Sequence, residues 1–259
     1  MDWFLELPPV LQGLLATIFT YSVTALGAAT VLFFKSVNKK VLNAMMGFSA
    51  GVMIAASFWS LLAPAVELSV ALTGNAWGIV GLGFSAGGVF VIGADVLLSR
   101  ILRKSKSAKR SVLLASAVTL HNIPEGLAVG VAFGCAGLGV EGATVVGALT
   151  LAFGIGLQNC PEGVCVATPL RRDGYSRSKS FVIGQASGMV EPAAGVLGVL
   201  FALSVQSALP FALSFSAGAM IAVACSELIP EPFQENKIIA AFGVLSGFAA
   251  MMMLDVALG

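Results

Sequence analysis

The chain has 259 residues, of which 58% are hydrophobic and 10% charged, with a mean hydropathy of +0.95 and a formal net charge of +1. A soluble domain of this length carries about a quarter of its residues as Asp, Glu, Lys and Arg to cover its surface, so a water-soluble globule is excluded. The apolar residues also come in blocks of about 20 residues or more, the length that crosses the hydrocarbon core of a bilayer as a helix.

Eight such spans follow one another: 10–34, 41–65, 77–99, 111–133, 143–169, 180–203, 209–229 and 238–258. They predict an all-α, polytopic membrane protein forming one domain over residues 1–259, with short connections. The leading stretch MDWFLELPP is acidic and lacks the positive n-region of a signal peptide, so no cleavage is expected. Span 1 carries Gly27 followed by Val31-Leu32-Phe33. Span 2 carries Phe48-Ser49-Ala50-Gly51-Val52-Met53-Ile54-Ala55, then Ser57, and ends near Glu67. Span 3 carries Gly83, Gly87, Asp95, Val96 and Leu98, and is followed by a basic run over 100–110. That run reads as a solvated orientation signal and not as a nucleic-acid surface.

Span 4 contains His121-Asn122-Ile123-Pro124-Glu125-Gly126, with the only histidine of the chain, and span 5 contains Gln158-Asn159-Cys160-Pro161-Glu162-Gly163. Both read [H/Q]-N-x-P-E-G. The four cysteines, Cys135, Cys160, Cys165 and Cys225, show no CxxC spacing and read as small apolar residues, not as a disulfide framework or a thiolate site. Span 6 places Glu191 in an apolar stretch and carries Gly195 followed by Val199-Leu200-Phe201. Span 7 carries Phe215-Ser216-Ala217-Gly218-Ala219-Met220-Ile221-Ala222 and leads into Glu227, Glu231 and Glu235. Span 8 carries Gly243, Gly247, Asp255, Val256 and Leu258.

Three of these stretches recur in order. The span 2 octet matches the span 7 octet at seven of eight positions, the glycines and aspartate of span 3 match those of span 8, and the span 1 signature matches that of span 6. Spans 1–3 are therefore predicted to be repeated as spans 6–8 around a central pair, a 3+2+3 arrangement. Equivalent spans lie five apart, an odd number, and so run in opposite directions; the repeat is inverted, which is the construction of many alternating-access transporters.

With the N-terminus outside, the connections after spans 1, 3, 5 and 7 hold all 14 Lys and Arg residues. The positive-inside rule then places those loops in the cytoplasm and both termini outside the cell (inner) membrane. Asp2, Glu6, Glu67 and Glu141 give the outer face a slight negative excess.

The two motifs sit near mid-membrane. Each buried carboxylate there costs roughly 2.5–3.5 kcal/mol on insertion scales, so Glu125, Glu162 and Glu191 together call for about 8–10 kcal/mol of compensation, by protonation or by a cation. Residues i, i+3 and i+4 share a helix face. His121, Asn122 and Glu125 therefore align on span 4, and Gln158, Asn159 and Glu162 on span 5. With Glu191 these give one imidazole, three amides and three carboxylates, a set suited to zinc, iron(II), manganese or cadmium and large enough for two adjacent ions. Pro124 and Pro161 each remove a helical N–H and free the carbonyls of Leu120 and Leu157, and the glycines after the glutamates allow close backbone approach. Glu67 and Ser57 are candidate residues of an entrance, Glu227 and Glu231 of an exit. Asp95 and Asp255 are expected to cap or sit at interfaces.

The paired motif, together with Val190-Glu191-Pro192 and Ser226-Glu227-Leu228-Ile229-Pro230-Glu231, resembles the signature of the ZIP (Zrt/Irt-like protein) metal transporters in a prokaryotic-type form. The resemblance covers nearly the whole chain. It implies uptake of Zn2+, and also of Fe2+, Mn2+ or Cd2+ in some members, into the cytoplasm, with both termini outside. It implies ligation at His121, Asn122, Glu125, Gln158, Asn159, Glu162 and Glu191, a two-metal centre in several members, and homodimers. It further implies elevator-like movement of spans 1, 4, 5 and 6 against spans 2, 3, 7 and 8. Asn159 stands where some members have Asp, which weakens the second metal position, and Gln158 stands where some have His, which changes affinity. The short basic 3–4 loop lacks a His-rich sensing segment.

Two other readings compete. An intramembrane metalloenzyme needs a metal with an open position and a general base, yet HExxH needs two histidines and only one is present. A transporter of another solute would use the same residues for a structural metal or a proton relay.

Overall fold

A computed structural model describes residues 2–34, 38–103, 110–140 and 142–258. Lys35, Lys104, Lys106, Lys109 and Glu141 of the charge pattern lie outside them. The described residues form helices alone. After a single turn at Asp2–Leu5 come eight long helical segments: α1 (Pro9–Phe33), α2 (Lys39–Thr73), α3 (Trp77–Arg103), α4 (Arg110–Gly137), α5 (Val145–Arg172), α6 (Arg177–Ser204), α7 (Leu209–Leu228) and α8 (Pro230–Leu258). Each overlaps one of the eight spans read from the sequence; α2 runs on to Thr73, eight residues further, and α8 begins at Pro230, eight residues earlier.

The helix starts follow local chemistry. Pro9 opens α1, where a missing N–H costs nothing. Asn38, Thr144 and Ser176 cap α2, α5 and α6 by accepting from backbone N–H groups of the first turn. Gly74 ends α2 in the left-handed conformation, φ 69°. Within α8, Asn236 breaks the helix at φ −153°, ψ 90°, and its side chain accepts from the Ile239 amide. The membrane-spanning part of α8 thus starts near 238, and Glu231 and Glu235 belong to a short lead-in.

Six of the eight are long and apolar enough to cross a bilayer by length and composition. α4 and α5 fall short by that measure because they carry the polar motifs. Large apolar side chains point outward along the bundle, among them Leu26, Phe33, Leu82, Val89, Leu197, Phe242 and Leu245, while Thr17, Thr20, Thr24, Ser49, Asn122, Gln158 and Asn159 are fully buried. This polar-in, apolar-out order is that of a chain solvated by lipid.

The packing reproduces the repeat. α2 lies along α8 and α3 along α7, while α1 lies along α5 and α4 along α6. A Cβ on Gly51 would come 2.1 Å from the carbonyl oxygen of Val244, and one on the repeat-related Gly218 would come 1.9 Å from that of Phe84. Gly87 and Gly247 meet the carbonyls of Phe215 and Phe48 at 1.9 and 2.1 Å in the same way. Only a residue without a Cβ lets these backbones touch. The two copies also widen into a π-helical stretch at equivalent places, Ser57–Leu62 in α2 and Ala224–Leu228 in α7.

Candidate metal site

α4 and α5 run through Pro124 and Pro161 as continuous helices and present their motifs to each other and to α1 and α6. The motif glycines seat them. A Cβ on Gly126 would lie 2.5 Å from the carbonyl oxygen of Glu191, and one on Gly163 would lie 2.1 Å from that of Thr24. The close approach expected from the sequence is therefore present, on α6 and α1 respectively.

All seven sequence-predicted residues are buried: His121 at 5% and Glu162 at 4% relative exposure, and Asn122, Glu125, Gln158, Asn159 and Glu191 at 0%. Gln158 Nε2 donates to Glu125 Oε1 at 2.6 Å, joining the two motifs. Asn122 Nδ2 donates to the Ser187 carbonyl at 2.8 Å, tying α4 to the 3-10 turn of α6. Ser49, from the repeated octet of α2, donates to the Gln158 carbonyl at 3.0 Å. Glu125 and Glu162 lie near enough to each other and to Glu191 for their charges to interact.

What these bonds leave over defines the site. Asn122 Oδ1, Glu125 Oε2, Gln158 Oε1, Asn159 Oδ1 and Glu162 Oε2 are buried with no hydrogen-bond partner. Buried polar atoms in folded proteins are nearly always paired, and each orphan costs about 1–3 kcal/mol. Five on two facing motifs describe an oxygen-lined place for a cation. Among the described residues no three His, Cys, Asp or Glu side chains converge as a metal cluster. The donor set is mixed carboxylate and amide, which suits a labile ion more than a locked structural one.

The remaining predicted residues divide. His121 Nε2 is in ion-pair contact with Glu227 Oε1 at 3.1 Å. The π-helical stretch of α7 thus brings Glu227 to the edge of the site, and it is not a remote loop carboxylate. Glu231 is exposed, and Glu235 pairs with Lys39 at 3.1 Å and accepts from Asn43 at 3.3 Å. Ser57 is fully buried and donates to its own helix at the Met53 carbonyl, 2.7 Å. Glu67 is exposed and stands 3.2 Å from the position a Cβ would take on Gly142.

Sequence reasoning missed two groups. Thr20 and Thr24 of α1 reach Glu191: the Thr20 hydroxyl donates to Oε2, and the Thr24 hydroxyl to Oε1 at 3.5 Å. Their signal was available, since Thr17, Thr20 and Thr24 form a polar stripe at i, i+3, i+7 in an apolar helix. The second is Ser60, the partner of Asp255. Ser60 donates to Asp255 Oδ1 at 2.6 Å, and Oδ2 is left without a partner. The pair lines a cavity of about 190 Å³ with Trp59, Pro64, Cys135 and Leu213, at the end of the bundle that bears the α4–α5 connection and Gly142. Asp255 is thus bound across the α2–α8 contact and caps no helix end.

The model of the family described as "ZIP Zinc transporter" matches residues 103–255. The protein named "Zinc transporter ZIP11" of Bos taurus is 37% identical over an alignment spanning 97% of this chain and 98% of that protein. "Zinc transporter GufA" of Myxococcus xanthus is 35% identical over 95% and 99%, and "Zinc transporter ZIPB" of Bordetella bronchiseptica 33% identical over 92% and 79%.

Proposed function

As the chain belongs to the ZIP zinc-transporter family, whose members are transporters and not enzymes, and crosses the membrane several times, we propose that it carries divalent metal ions, zinc foremost, into the cytoplasm through the α4–α5 site. The observation that carries this reading is the set of five buried, unpartnered oxygens on the two motifs. Fe2+, Mn2+ and Cd2+ suit the same mixed donors.

The path has three parts. The ion gathers in the cavity lined by Ser60 and Asp255, with Glu67 near its rim. It then sheds water against Glu125, Glu162, Gln158, Asn122 and Asn159, with His121 and Glu191 beside them; seven side chains at this depth suffice for one ion or two. It leaves past His121 and Glu227, with Glu231 beyond. The grouping of α1, α4, α5 and α6 apart from α2, α3, α7 and α8 supports an elevator movement of the first set, which holds the ligands, against the second. The distribution of Lys and Arg supports cytoplasmic loops after α1, α3, α5 and α7 and both termini outside the inner membrane. A homodimer in the bilayer fits the family. Acid favours release, since protons and metal compete for the same lone pairs.

The test is zinc flux into proteoliposomes holding a zinc-sensitive dye. His121→Ala and Glu125→Ala should each reduce uptake to the level of protein-free liposomes. Unchanged rates in both would show that the ion takes another route.

A further inference from the structure

We propose that Glu191 is a positioning residue and not a metal ligand, and that the site holds a single ion; this rests on the transport reading above and narrows it. Of the three buried carboxylates, Glu191 alone has both oxygens satisfied by neutral donors. Asn159 Nδ2 lies 3.0 Å from Oε1 and 3.0 Å from Oε2, the Thr20 hydroxyl donates to Oε2, and the Thr24 hydroxyl approaches Oε1 at 3.5 Å. Neither oxygen of Glu191 is among the unpartnered atoms, whereas Glu125 and Glu162 each leave one oxygen free.

The orientation of Asn159 follows from this contact. Asn159 turns its NH2 toward Glu191, whose two carboxyl oxygens accept from it. The same NH2 also reaches the Thr20 carbonyl at 3.2 Å. The amide oxygen is left pointing away with no partner. Glu191 thus acts through Asn159, as a carboxylate behind a metal-bound histidine does. The amide hydrogens occupy the ground on which a second cation would have to bridge to Glu191. Charge agrees: one divalent ion balances Glu125 and Glu162, and Glu191 is compensated by hydrogen bonds.

The test uses the full-length protein in lipid nanodiscs, stripped with chelator and dialysed against Zn2+. Bound zinc is measured by mass spectrometry, and zinc–zinc scattering by X-ray absorption. The wild type should hold one zinc per chain with no zinc–zinc vector. Asn159→Asp, which replaces the donor with a second carboxylate beside Glu191, should hold two zincs about 3.5–4 Å apart. Glu191→Gln and Thr20→Val should keep one zinc and raise its Kd by about 10–100-fold. Two zincs on the wild type falling to one in Glu191→Gln would overturn the proposal while leaving the transport reading intact. Asn159→Asp remaining at one zinc would overturn the role given to the Asn159 amide. If that variant does not fold, Glu191→Gln and Thr20→Val decide the question by stoichiometry. A wild type that binds no zinc, or a Glu125→Ala that keeps it, would instead overturn the transport site itself.

Discussion

Five oxygens, on Asn122, Glu125, Gln158, Asn159 and Glu162, are held out of water without donors, and at the residue scale the proposed function rests on them. An ion that meets them releases the cost of leaving them unpaired, so occupancy should appear as stability. At a zinc concentration 100 times Kd the gain is about 2.7 kcal/mol. Adding zinc to the apo protein should therefore raise its melting temperature, and chelator should reverse the rise. In Glu125→Ala or Glu162→Ala the shift should vanish, which thermal unfolding in detergent measures directly. The i, i+3, i+4 spacing of the motifs was enough to read all five of these side chains, and His121 with them, from the sequence. Their hydrogen-bond state was not readable. Whether Glu191 meets a metal or an amide depends on Thr20 and Thr24, 171 and 167 residues away, and only the fold brings them there.

The helices show why some neighbours were legible and others were not. Glycine contacts were, because a repeated Gly pattern on paired spans announces close backbones. Gly218→Ala would force a methyl group into the Phe84 carbonyl, and Gly51→Ala into that of Val244. Each should cost about 1–3 kcal/mol and lower the melting temperature, and the repeat makes the two losses similar. A much milder effect at one site than at the other would break the equivalence of the halves. The misread residues cluster at the π-helical stretches. A π turn inserts an extra residue and rotates everything beyond it relative to α-helical periodicity. Ser60 lies within Ser57–Leu62, and Glu227 within Ala224–Leu228. Periodicity at 3.6 residues per turn therefore does not show that Ser60 meets Asp255, or that Glu227, at the end of span 7, reaches His121.

At the scale of the whole molecule, the apolar blocks gave the span boundaries closely because lipid imposes one length on every crossing. α4 and α5 fall below the hydropathy of a candidate span because they carry the two polar motifs. The one-sided placement of Lys and Arg yields a topology that labelling tests. Cysteines introduced after α1 or α5 should react with membrane-impermeant thiol reagents from the cytoplasmic side, and one near the N-terminus from the outside. The opposite pattern would reverse the direction assigned to transport. The central claim is that zinc crosses between the paired motifs, and anomalous diffraction from zinc-soaked crystals tests it most directly. A peak about 2.0–2.2 Å from Glu125 Oε2 and Glu162 Oε2 is the expected result. Zinc density confined to the Asp255 cavity or the Glu231 end, with those oxygens bare, would contradict it.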